Sequence, residues 1–139
     1  MNMMAKGTHL ADVLMLFSRL LLAWIFLHEG FTLAANLDGT IAVMAKLGVN
    51  APLALATIAL QICAGISIAF GCYARLGALA LGIFCLLTAV LFHTDFANQN
   101  ELLHFEKDLA IAGGMFALVV GGAGNLSLDN LMRTHPIKL

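Results

Sequence analysis

The sequence predicts an all-α fold: an integral membrane four-helix bundle with up-down connections and both termini cytoplasmic. Three observations lead there. Of 139 residues, 61% are hydrophobic and 11% charged, at a mean hydropathy of +0.95, whereas soluble domains run near 45–50% and about 25%. Three runs hold no Asp, Glu, Lys or Arg: Leu47–Ala74, Leu76–Thr94 and Leu109–Leu128. Each offers roughly the 20 apolar residues that a spanning helix needs. The basic residues, finally, are shared unevenly between the two sets of loops. This composition excludes a soluble cytosolic enzyme and a disordered tail. A formal net charge of −1 leaves no basic surface for nucleic acid. The chain forms a single domain with spans near 12–35, 52–74, 76–94 and 108–126.

The first span carries Arg19, His28 and Glu29, but Leu20 to Leu27 is too apolar for a surface helix. A cleaved secretory signal is the rival reading, with Lys6 as its basic start. Arg19 opposes it, because it falls where the apolar stretch of a signal belongs. Asn36, Asp38 and Gly39 end this span. Asp38–Leu47 reads as a short interfacial helix, since Ile41, Met44, Ala45 and Gly48 recur at helical spacing. Gly48, Asn50 and Pro52 introduce the second span, with proline in the first turn. Gly71 to Gly77 makes a tight turn into the third. Gly121, Gly122, Gly124 and Asn125 close the fourth. Small residues that let helices approach in lipid recur as Ala74, Ala78 and Gly82, and as Ala110, Gly114, Ala117 and Gly121.

Orientation follows from the positive-inside rule. Lys6, Arg19, Arg75, Arg133 and Lys138 lie on one side; Lys46 and Lys107 lie on the other. The first side is therefore read as cytoplasmic. The third loop, with Asp95, Glu101, Glu106, Lys107 and Asp108, is read as facing out. Cys63, Cys72 and Cys85 sit in apolar runs without the paired spacing of a disulfide framework or zinc site, and read as packing residues.

Ionisable groups inside a membrane are costly and mark candidate sites. Arg19 lies about two turns into the first span, where its side chain either snorkels to the headgroups or plays a structural role on the inner side with Arg75. Glu29 lies near the outer end and cannot snorkel far. It serves either as a hydrogen-bonding lock between helices or as a holder of a proton, a metal or a quinone carbonyl. His28 precedes it, so the two side chains point about 100° apart on a helix, and Trp24 lies one turn below His28. In the second span Thr57, Gln61 and Gly65 form a polar and small stripe, with Gln61 at a depth similar to Glu29. The third span ends in Phe92-His93-Thr94-Asp95, and His104, Glu106, Lys107 and Asp108 precede the fourth. The candidate ligand or quinone site is thus Trp24, His28, Glu29, Gln61 and His93. Asp95, His104, Glu106, Lys107 and Asp108 are candidate partner contacts. No fixed metal spacing is present, and no covalently attached cofactor is implied.

Four motifs in order resemble the DoxX family. They are Arg19-Leu20-Leu21-Leu22-Ala23-Trp24-Ile25-Phe26-Leu27 with Gly30; Gly65, Gly71 and Arg75-Leu76-Gly77-Ala78-Leu79; Phe92-His93-Thr94-Asp95 with His104 to Gly114; and Gly122-Ala123-Gly124-Asn125-Leu126-Ser127-Leu128-Asp129. The resemblance implies a four-span inner-membrane protein. A relative in that family forms the small subunit of a thiosulfate:quinone oxidoreductase, and others are linked to membrane redox homeostasis. Many members carry glutamate where this chain has Gln61, while an acid stands here at Glu29. The expectation is a redox-associated membrane subunit with a quinone site in the outer half, working with a soluble redox partner. The alternatives are a non-catalytic anchoring or assembly subunit of a membrane complex, or a homo-oligomeric transporter of a small solute or metal.

Overall fold

The computed structural model describes residues 2–134, with side chains from His9 onward. Lys138 lies outside the described residues, and so does the Lys6 side chain. The described chain is all-helical: α1 (Asn2–Ala35), α2 (Leu37–Lys46), α3 (Ala51–Phe70), α4 (Ala74–Phe92), α5 (Gln99–Gly121) and α6 (Leu128–Thr134). Three segments are long and apolar enough to cross a membrane: His9–Ala35 within α1, then α3 and α4. The helix α5 is also long, 23 residues, but its first half carries four charged side chains.

Local chemistry explains the boundaries. Asn36 caps α2 by accepting from the Gly39 N–H, and Asn50 caps α3 by accepting from the Leu53 N–H, with Pro52 in the first turn. The expectation that the second span reaches residue 74 is corrected. The helix stops at Phe70 because Gly71 adopts the left-handed conformation (φ 67°) that ends helices. The apolar run continues through the turn, so it overstates the helix. The fourth long helix runs from Gln99 to Gly121, so it starts ahead of the span expected over 108–126 and stops short of its end. Asn98 caps it, and Glu101, Leu102, Leu103, Glu106 and Lys107 are good helix formers. The charged segment read as loop is therefore the start of α5.

Adjacent long helices run antiparallel. The α1–α3 contact is close because it is built on glycines: a Cβ at Gly65 would stand 2.9 Å from Leu27, and one at Gly30 2.8 Å from Ile62. Gly82 of α4 lies similarly against Phe116 and Met115 of α5. The buried core joins Ala23 and Phe26 of α1, Ala64 and Ile68 of α3, Ala78, Leu81 and Cys85 of α4, and Ala112, Met115 and Leu118 of α5. The two small-residue stripes differ. Ala74, Ala78 and Gly82 are buried, whereas on α5 Ala110 and Ala117 are exposed and only Gly114 and Gly121 face α1, at Leu22 and Met15.

The ends of the molecule differ in construction. The α3–α4 turn, the first half of α1 and α6 form one end, here the turn end. The C-terminus of α1, α2, the α4–α5 connection and the start of α5 form the other, the loop end.

Candidate functional site

The buried face of α1 runs Arg19, Ala23, Phe26 and Gly30, the i, i+4, i+7 spacing of one helical stripe. Glu29 flanks this stripe. Trp24 and His28 lie across the helix from it: Trp24 is 69% exposed and its ring stands 6.0 Å from that of His28.

At the loop end two cavities adjoin. The first, ≈ 420 Å³, is bordered by Glu29, Gln61, Thr88, His93, His104, Lys107 and Asp108 on a floor that includes Phe26, Phe84 and Cys85. The second, ≈ 320 Å³, is bordered by Leu33, Met44, Leu47, Val49 and Phe92. Both share Glu29, Gln61, Phe84, Thr88 and His93. A polar chamber thus opens onto an apolar one through a common wall.

Each polar side chain has an identifiable position. Gln61 is buried at 5% exposure, and its Oε1 atom has no hydrogen-bond partner. An unpaired buried acceptor costs on the order of 1–3 kcal/mol. Thr88 donates its hydroxyl to Asp108 Oδ2 at 2.8 Å, which fixes that carboxylate on the chamber wall. His93 Nδ1 pairs with Glu101 Oε2 at 2.8 Å, and the His93 ring stacks on His104 at 5.1 Å between centroids. The chamber therefore presents one amide, two imidazoles, one ammonium and two carboxylates around an apolar floor. Such a set can donate to and accept from a polar ring substituent and can exchange protons. Among the described residues no group of three or more His, Cys, Asp or Glu is placed to hold a metal ion.

The structure brings together Glu29, Gln61, His93, His104, Lys107 and Asp108 from the sequence candidates. It does not bring in Trp24 or His28, which line neither cavity, nor Asp95 and Glu106, which are exposed outside it. Thr88, Glu101 and the apolar wall from α2 were missed. Thr88 is an isolated polar residue in an apolar run, a signal of the same kind that drew attention to Gln61.

The turn end is organised differently. Arg19, 1% exposed, does not snorkel. Its Nη2 donates to the Leu126 carbonyl at 2.7 Å, its guanidinium rests against Gly71, and the charge of Asp129 acts on it. Asp129 accepts from the N–H groups of Tyr73 at 2.8 Å and Ala74 at 3.1 Å, capping α4 from α6, and its own N–H donates to the Gly71 carbonyl. Tyr73 sits in the left-handed region (φ 52°) under this clamp.

Helices of this length and polarity define a multi-pass integral membrane protein. The family model described as DoxX matches residues 14–94, and the chain belongs to the DoxX family. It is 37% identical over 123 residues to the inner membrane protein YqjF of Escherichia coli (strain K12), covering 88% of this chain and 95% of that one. It is 35% identical over 124 residues to the inner membrane protein YphA of the same organism, covering 84% and 89%. With its apolar helices, this makes it a bacterial inner-membrane protein. No solved structure matches the chain significantly.

Proposed function

We propose that this protein is a quinone-binding subunit of a membrane redox system. In this reading its four long helices span the bilayer as a bundle, its termini are cytoplasmic, and the loop end faces out. With His104 to Asp108 in the interfacial layer, the apolar part of α5 supplies about 20 Å of helix at ~1.5 Å per residue, short of a ~30 Å hydrocarbon core, so in this reading the bilayer thins beside it.

The observation that carries the reading is the shared wall of the two cavities, with Gln61 Oε1 buried there without a partner. A prenylquinone has the matching form: a ring with two oxygens and an apolar tail. The ring belongs in the polar chamber, where the Gln61 amide and the Lys107 ammonium donate to a quinone oxygen and Gln61 Oε1 accepts from a quinol hydroxyl. The tail belongs in the chamber lined by Leu33, Met44, Leu47 and Val49. Glu29, Asp108 and the His93–Glu101 pair supply proton-exchanging groups beside the ring. Bound quinone supplies the two-electron chemistry, and electrons come from a separate redox partner.

The test is to purify the protein in mild detergent and quantify extracted quinone. Wild-type protein is expected to retain quinone, and Gln61→Leu and Glu29→Gln to lose most of it. Quinone no higher than in a control membrane protein, or unchanged in both variants, would sink the proposal.

A further inference from the structure

A third cavity, ≈ 610 Å³, opens at the turn end, within the size range of ligand pockets. Arg75 and Arg133 flank it, and the Gly122–Asn125 backbone forms its base. The Arg75 guanidinium lies against bare backbone at Gly122 (φ 76°), where a Cβ would stand 3.0 Å from Nη2 and 3.1 Å from Nε. Among the described residues neither arginine has a carboxylate within 4.0 Å. Asp129 borders the same cavity, with its two oxygens turned to the Tyr73 and Ala74 N–H groups, and Asp12 is bonded to Asn125 at the cavity's base. The cavity thus holds two cations without a direct ion-pair partner among the described residues, beside one carboxylate, Asp129, that is committed to the start of α4.

An apolar groove of ≈ 380 Å³ meets this cavity at Tyr73 and runs along α3 past Phe70 and Ile66 to Cys63. That is about 10 Å of helix, directed from the end of the molecule toward its middle. Arg75 is the second residue of α4, so it lies where the apolar helix begins, and Arg133 borders the same cavity from α6.

We propose that the turn end holds an anionic phospholipid, its phosphate between Arg75 and Arg133 and one acyl chain in the groove along α3. Basic pockets between spanning helices recognise anionic headgroups in this way. A free phosphate would satisfy the arginines but leave the groove unfilled, and a zwitterionic lipid would bring its own cation to the pair. The site is separate from the loop-end chambers, and its test does not depend on the quinone reading.

The experiment titrates delipidated protein in detergent with phosphatidylglycerol, with phosphatidylcholine of the same acyl chains, and with inorganic phosphate, counting bound lipid by native mass spectrometry. Phosphatidylglycerol is expected to bind in preference. The preference should fall about fivefold for each arginine removed in Arg75→Gln and Arg133→Gln, and Arg75→Lys should keep most of it. Both side chains are exposed, so these variants are expected to fold. Equal binding of the two lipids, or a preference unchanged in the double variant, overturns the proposal. So does displacement of the lipid by an equal concentration of inorganic phosphate, which would assign the arginines to a free anion.

Discussion

The two ends of this molecule put their polar groups to different uses. At the turn end most polar groups are spent on the fold itself. Arg19 Nη2 holds the Leu126 carbonyl, although its Nε and Nη1 have no hydrogen-bond partner, and Asp129 holds two α4 N–H groups. At the loop end the polar groups surround open chambers, and Gln61 Oε1 is left unpaired. Polar pairs that close on each other stabilise a structure, whereas polar side chains that border a cavity can meet a ligand. The turn end therefore carries the lock of the fold beside its own cavity, and the loop end is the candidate redox workplace.

Mutations test that division, and the largest effect is expected at Gly71. Gly71→Ala forces an L side chain into the left-handed region and drives its Cβ into the buried Arg19 guanidinium. A loss of about 3 kcal/mol or more is expected, read by unfolding in detergent. A loss below about 1 kcal/mol would show that Arg19 is not held there. Asp129→Ala comes next: removing the clamp on α4 and the charge facing Arg19 should cost about 2 kcal/mol. Asp129→Asn, which keeps one acceptor, should recover part of it. At the loop end the pattern should reverse. Gln61→Leu removes a buried unpaired acceptor, so stability should hold or rise, by up to about 1–3 kcal/mol, while retained quinone falls. A large stability loss there with quinone unchanged would make Gln61 part of the lock. The smallest effect is expected for Glu101→Gln. Its partner His93 is 25% exposed and Glu101 33%, and such pairs contribute about 0.5 kcal/mol, measurable as a small shift in the unfolding midpoint.

Much of this arrangement was legible in the chain. Depth along a helix is arithmetic, so Glu29 and Gln61 could be set at one level from the span ends, and both line the chambers. The interfacial helix after the first span was legible from its spacing, and α2 occupies it. The start of α5 was not legible, because charged residues that mark a loop in one setting are good helix formers in another. Arg19 was open between the headgroups and the interior until the carbonyl of Leu126, more than a hundred residues away, was seen to receive it. Of the neighbours His28 and Glu29, the sequence showed only that both could not face the same way.

The sequence by itself determined that the chain lives in a membrane, where its apolar segments lie and at what depth its rare charged groups fall. Run length and the cost of burying charge in hydrocarbon suffice for that. The tertiary structure alone decided which side of each helix faces inward. In water an apolar stripe reveals the buried face, but in lipid both faces are apolar. Only packing could show that Arg19, Ala23, Phe26 and Gly30 turn inward while Trp24 and His28 turn away.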